Sequence, residues 1–265
     1  MGIEQFPSQV RAPESESDPN KVEAQDVAAA QNFLSETYNL ERDMDGSKVT
    51  EAVRRSNLEH TARVTGDARR IAVAEGVPEE EAAIAGALHD AAKLKHDLPG
   101  GIDTFGHHES GAALAKKFLA EKLKKSDEVS ARIAEAILSH SNIPFIKAAR
   151  PDVPEPKSKL AHVLRDADVL DLINIHGIKK IVEIRQNPQS KFYEQDGGSL
   201  AKAIASALTS SADSLGILTT ESAKKIAEEY NEQAKRLMQK LKEAGAASVD
   251  DFRKVFKEFV EEENK

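Results

Sequence analysis

The sequence has no cysteine and no tryptophan in 265 residues. Without thiols, disulfides, thiolate nucleophiles and sulfur-ligated zinc or iron–sulfur centres are excluded. Any metal must be held by histidine, carboxylate and water, a donor set that suits Mn, Fe, Co, Ni or Zn, and Mg with fewer histidines. Aromatic residues make up only 5% of the chain, too few for a broad base-stacking platform. The net charge is −8, so the excess positive charge of a general nucleic-acid grip is missing as well, although a local cationic site for a small phosphate is still allowed. No apolar run approaches the roughly 20 residues of a membrane span. The segment Met1–Pro7 lacks the basic and apolar regions of a signal peptide, and the expectation is a cytoplasmic protein.

What is present is helical patterning. Apolar residues recur at helical spacing through most of the chain, no strand-like alternation stands out, and no internal repeat is found. The expected fold class is all-α. Residues 1–25 carry Pro7, Pro13, Pro19 and several Ser and Glu, and are expected to be a disordered tail. Residues 26–47 read as a short helix from Val27 to Tyr38 and the turn Asp43-Met44-Asp45-Gly46, which matches a calcium loop at two ligand positions only. Residues 48–188 read as the main helical domain. Its helices are expected over 47–75 with a stop at Gly76, from Pro78 through the following apolar run, over 107–124, from a Ser126 cap to about 139, and over 157–176 with Gly177 as a stop. A shorter helix from Ile178 to about Gln186 ends before Pro188. Loops are expected at 95–106 and across Pro144–Pro156. Residues 189–265 read as a C-terminal helical extension with a Thr220-capped helix over 221–244 and a final helix opened by the Ser248–Asp251 capping box. A solvated face, a cover for the core or a homodimer contact would each suit it.

Ionisable residues sit in places that should be apolar. His89 and Asp90 follow a run of alanine, isoleucine and leucine, and a buried carboxylate needs a compensating partner. An ordinary hydrogen-bonded pair would satisfy them, and so would a metal ion. His60 shares the inward stripe of Val49, Val53, Val64 and Ile71. His140 follows Ile133 and Ile137 on one face. Asp168 and Asp171 lie on the stripe of Leu164, beside Leu160, Leu172 and Ile175. His108 opens the helix at 107. His60, His89, Asp90, His108, His140 and Asp168 therefore come from five separate helices, which is how metal sites in helical bundles are assembled. Lys93, one turn past Asp90, reads either as a phosphate contact or as a solvated lysine. His107 reads as a bystander of His108. Lys95 and His96 read as lining of the loop over the site, and His162 and His176 as structural or exposed.

The pattern resembles the HD-domain superfamily of metal-dependent phosphohydrolases, in particular the small bacterial and archaeal members. The matching segments are His60 in Leu58–Val64, the His89-Asp90 pair, His108–Ala112, Ile137–Ser141 and Arg165–Asp171, spanning about residues 48–185. Val169 departs from the pattern, as those relatives often carry Arg there, and Leu172–Ile178 diverges too. The resemblance implies that His60, His89, Asp90 and Asp168 bind one divalent ion. His108 and His140 then either contact substrate phosphate and the leaving group or hold a second ion with Asp90 bridging. It implies hydrolysis of a nucleotide or another small phosphate ester through a metal-activated water. Two other readings share the ligand set: a mixed-valent di-iron oxygenase, and a signalling module with a structural metal. Asp166 and Asp171 read as orienting ligands or pairing with Arg165.

Overall fold

The computed structural model describes residues 19–38, 51–94 and 106–265, and among these the chain is all-α. Its helices are α1 (Pro19–Tyr38), α2 (Glu51–Glu75), α3 (Glu79–Leu88), α4 (His107–Glu121), α5 (Asp127–Ser139), α6 (Pro144–Ala149), α7 (Lys159–Ile173), α8 (Ile175–Arg185), α9 (Lys191–Asp196), α10 (Leu200–Leu215), α11 (Glu221–Glu243) and α12 (Val249–Glu263). The segment Asp43–Gly46 and the loop residues Lys95 and His96 lie outside the described residues.

α3 is the axis of the bundle. Three glutamates in its first turn suit the positive end of the helix dipole, and every residue from Glu81 to Leu88 is buried. A helix apolar on all sides must be surrounded, and α1, α2, α5 and α7 pack around it. The approach of α2 is close enough to require glycine: a Cβ added at Gly86 would stand 2.9 Å from the Thr65 Cα. α3 ends at Leu88, earlier than its apolar pattern suggests, so His89 and Asp90 occupy the turn beyond it. That turn is pinned from α1, where the buried Tyr38 hydroxyl donates to the Asp90 carbonyl at 2.7 Å.

Capping signals fix several boundaries. The Ser126, Ser158 and Thr220 side chains each accept from a backbone N–H in the first turn of α5, α7 and α11, and Ser248 and Asp251 form a reciprocal capping box on α12. Other boundaries differ from expectation. α1 begins at Pro19 rather than Val27. The proline-rich stretch after Asn142 contains the short helix α6, with Pro144 in its first turn, where a missing N–H costs nothing. The long helix expected to stop at Gly177 breaks at Asn174, whose side chain caps α8 by accepting from His176 and Gly177. Gly177 is small for another reason: a Cβ there would fall 2.2 Å from the Asp171 carbonyl oxygen.

Two apolar cores share one helix. The first gathers side chains from α1 to α7 around Ile71, Ile84, Leu88, Ile137 and Leu164. The second joins α8, α10 and α12 around Ile178, Leu200, Phe252 and Phe256. α11 gives Ala223, Ile226 and Ala227 to the first and Ala234, Leu237 and Leu241 to the second.

Candidate metal centre

Four side chains converge where α2, the turn after α3 and α7 meet. His60 Nε2 lies 3.2 Å from His89 Nε2, 3.3 Å from Asp90 Oδ2 and 3.3 Å from Asp168 Oδ1. His89 Nε2 lies 3.4 Å from Asp90 Oδ2 and 3.7 Å from Asp168 Oδ1. Donors about 2.1 Å from one ion stand about 3.0–3.4 Å apart in octahedral or tetrahedral arrangements, so the spacing fits a single cation.

The hydrogen-bond partners indicate which ring nitrogens face the cluster. His89 Nδ1 lies 2.8 Å from the Gly86 carbonyl, which can only accept, so the proton sits on Nδ1 and Nε2 faces inward as a lone pair. His60 Nδ1 lies 2.7 Å from Asp171 Oδ2 in the same sense. Two imidazole nitrogens and two carboxylate oxygens therefore meet, and Lys93 Nζ is the cationic donor beside them, on Asp90 Oδ2. Burial alone pulls the His60 pKa down, yet Asp171, Asp168 and Asp90 push it up to about 10. Burial raises the Asp90 carboxyl, but its neighbours His89 and Lys93 outweigh it and hold the group well below the ordinary carboxylate range.

Asp90 faces a second nest with its other oxygen. Asp90 Oδ1 is buried and accepts no hydrogen bond among the described residues. It lies 3.1 Å from His107 Nε2 and 4.0 Å from His140 Nε2, and the two imidazole nitrogens are 3.2 Å apart. His140 Nδ1 donates to the Ile137 carbonyl, which again leaves Nε2 as the lone pair. Burial, then the neighbouring His89 and His107, lowers the His140 pKa to about 3. An unprotonated Nε2 is an available ligand atom, with the Ser141 hydroxyl 3.1 Å away.

His60, His89, Asp90, His140 and Asp168 are thus brought together as the sequence suggests. His108 is not. It is the bystander His107 that reaches Asp90 and His140, whereas neither ring nitrogen of the buried His108 has a partner among the described residues. Successive helical residues point about 100° apart, so only one of the two can face the centre. Asp171 orients His60, and Asp166 pairs with Arg165 rather than with a candidate ligand. It accepts from the backbone and hydroxyl groups of Thr219 and Thr220 and ties the start of α11 to α7. His162 is near Thr219, away from the centre.

The open side of the site is marked by Asp168, whose side chain keeps 21% of its exposure. Lys93 Nζ donates to Asp90 Oδ2 at 2.5 Å and is 18% exposed. Desolvation, then the charge of Lys93, lowers the pKa of Lys180 on α8, while Asp171, Asp90 and Asp168 act the other way. Sequence reasoning missed Lys180, which follows Lys179 on an amphipathic helix and carries no local signal of its neighbours.

Residues 57–173 match the family model for the HD domain, a segment that holds every side chain of both nests. That segment is an HD domain. Solved structures share the fold. Bacillus subtilis YpgQ in complex with ADP superposes with a TM-score of 0.54 at 18% identity, covering 85% of this chain and 98% of YpgQ. Another Bacillus subtilis YpgQ structure gives 0.54 at 17% identity, with 85% and 98% covered. A predicted HD superfamily hydrolase from an uncultured Thermotogales bacterium gives 0.50 at 24%, with 80% and 88% covered. No curated protein matches. The chain has no helix long and apolar enough to cross a membrane among its described residues.

Proposed function

We propose that this protein is a metal-dependent phosphohydrolase acting on a nucleotide or another small phosphate ester. The observation that carries the reading is the pair of oxygens of Asp90, one facing His60, His89 and Asp168, the other facing His107 and His140. His60, His89, Asp90 and Asp168 would hold one divalent ion, and His107 and His140 a second, with Asp90 between them. Such ions supply Lewis acidity and acidify water at neutral pH.

The chain's own residues do the rest. The Nδ1 partners of His60, His89 and His140 fix which nitrogen is offered, so no ring need turn during a cycle. Lys93 puts a point charge beside Asp90, and it would attract phosphate oxygens to the open side of the site. Buried walls of alanine and leucine strengthen every one of these interactions. That YpgQ binds ADP on the same fold supports a nucleotide substrate.

A mixed-valent di-iron oxygenase is the second reading, favoured by the same bridging position of Asp90. Metal analysis of protein purified without chelator, then phosphate release from a panel of nucleotides and phosphate esters with Mn, Co, Ni or Mg, separates the two. The hydrolase reading expects phosphate release with at least one of these ions. Two irons per chain, oxygen uptake and no phosphate release would replace it with the oxygenase.

A further inference from the structure

We propose that Arg63 is a positioning residue for the metal centre, acting through Asp171 on His60; this rests on the reading of His60 as a metal ligand. Asp171 is buried and satisfied from three directions. Its Oδ2 receives His60 Nδ1 at 2.7 Å. Arg63 grips both oxygens, with Nε 2.5 Å from Oδ1 and Nη2 3.1 Å from Oδ2. Asn174 Nδ2 donates to Oδ1 at 2.9 Å.

A carboxylate held by one hydrogen bond can rotate about its last torsion. A guanidinium fork fixes its plane, because two parallel N–H groups must meet two oxygens. The plane of Asp171 sets the direction from which Oδ2 meets Nδ1, and so sets the ring of His60. That ring must keep Nε2 aimed at His89, Asp90 and Asp168. Arg63 follows His60 by three residues on α2, so the two share a face and reach the same carboxylate.

Arg63 also shares the charge of Asp171. Burial works against that charge, but His60 and then Arg63 hold the group well below the ordinary carboxylate range.

Packing does not force this pairing. Arg63 and Asn174 line a cleft of about 240 Å³ between the bundle and the C-terminal helices, facing Tyr230, Gln233 and Glu263. The arginine has room to leave, so it is the hydrogen bonds that keep it. An ion pair that served stability alone would be worth little where one partner is partly exposed. This one is attached to a ligand.

The test is Co²⁺ binding by the full-length chain, followed by calorimetry and by the visible absorption of the bound ion. Arg63→Gln should weaken Co²⁺ about tenfold and alter the absorption bands. Asp171→Asn should weaken it at least as much. The double variant should bind no worse than Asp171→Asn alone, because the two residues act in series. Arg63→Lys, which keeps the charge but loses the fork, should fall between wild type and Arg63→Gln. Arg185→Gln, which breaks a remote bidentate pair with Asp196, should lower thermal stability and leave Co²⁺ affinity unchanged. Wild-type affinity and spectrum in Arg63→Gln, or additive losses in the double variant, would overturn the proposal. If Arg63→Gln does not fold, Arg63→Lys decides: affinity equal to wild type overturns it. A wild-type chain that takes up no Co²⁺ would remove the metal reading itself.

Discussion

At the scale of single residues, what matters is where each proton and each lone pair lies. His107 and His108 are neighbours in sequence and opposites in role. His107→Ala is expected to lower metal stoichiometry by about one ion per chain, and His108→Ala to leave it unchanged; elemental analysis of the two variants decides between them. The distinction was not legible in the sequence, since both residues open the same helix and the preceding loop offers no phase for it. His60, His89, Asp90, His140 and Asp168 could be picked out because each interrupts an apolar stripe. A second residue-scale expectation concerns Asp67 on α2, which accepts from the Tyr230 hydroxyl at 2.7 Å. Burial, against the Tyr230 hydrogen bond and the charge of Arg70, pushes its pKa up to about 6. A carboxyl raised on folding binds more protons in the native state, so its contribution is full below pH 4 and is lost as pH rises through 6. Asp67→Asn should therefore match wild type in urea unfolding near pH 4. At pH 7.5 it should be more stable, by up to about 3 kcal/mol. Equal stability at both pH values would mean that Asp67 is not destabilised by its burial.

At the scale of elements, close approaches decide the geometry. α2 can bring His60 to α3 only because Gly86 has no side chain, and Gly86→Ala should cost about 1–3 kcal/mol through a clash with backbone that cannot rotate away. Gly177→Ala should be worse, since its added carbon would overlap the Asp171 carbonyl on the helix that carries the site. Thermal melts of both variants check the order; a Gly177→Ala melt above that of Gly86→Ala would contradict it. Helix starts were readable where a Ser or Thr cap precedes a periodic run, as at Ser126, Thr220 and Ser248. The α7–α8 break was not. Asn174 lies inside an apolar run that continues through Ile175 and Ile178, and the signal of a helix stop pointed to Gly177. That glycine answers a steric demand in three dimensions, which spacing along the chain does not record. Lys180 stayed hidden for the same reason: its neighbours belong to other helices.

At the scale of the molecule, the centre couples metal to folding. The four oxygens and nitrogens around His60 repel one another without a cation, so an ion that binds only the native state should stabilise the whole chain. At an ion concentration about 100-fold above Kd the gain is about 2.7 kcal/mol, which for a chain of this size is on the order of 5–10 °C in Tm. Scanning calorimetry with Mn²⁺ or Co²⁺, then with excess EDTA, measures it; an unchanged Tm in both would argue against a native-state ion. The extension beyond Pro188 has a share in this as well. α11 contributes Ala223, Ile226 and Ala227 to the core that holds the nests, and Asp166 on α7 grips Thr219 and Thr220 at its start. During synthesis the ribosome releases every ligand by residue 168, yet the wall behind them is completed only by a helix that emerges some fifty residues later. The nascent chain therefore carries all the candidate ligands before it has the core to hold them still, and secure uptake of an ion would belong to the last stage of its production.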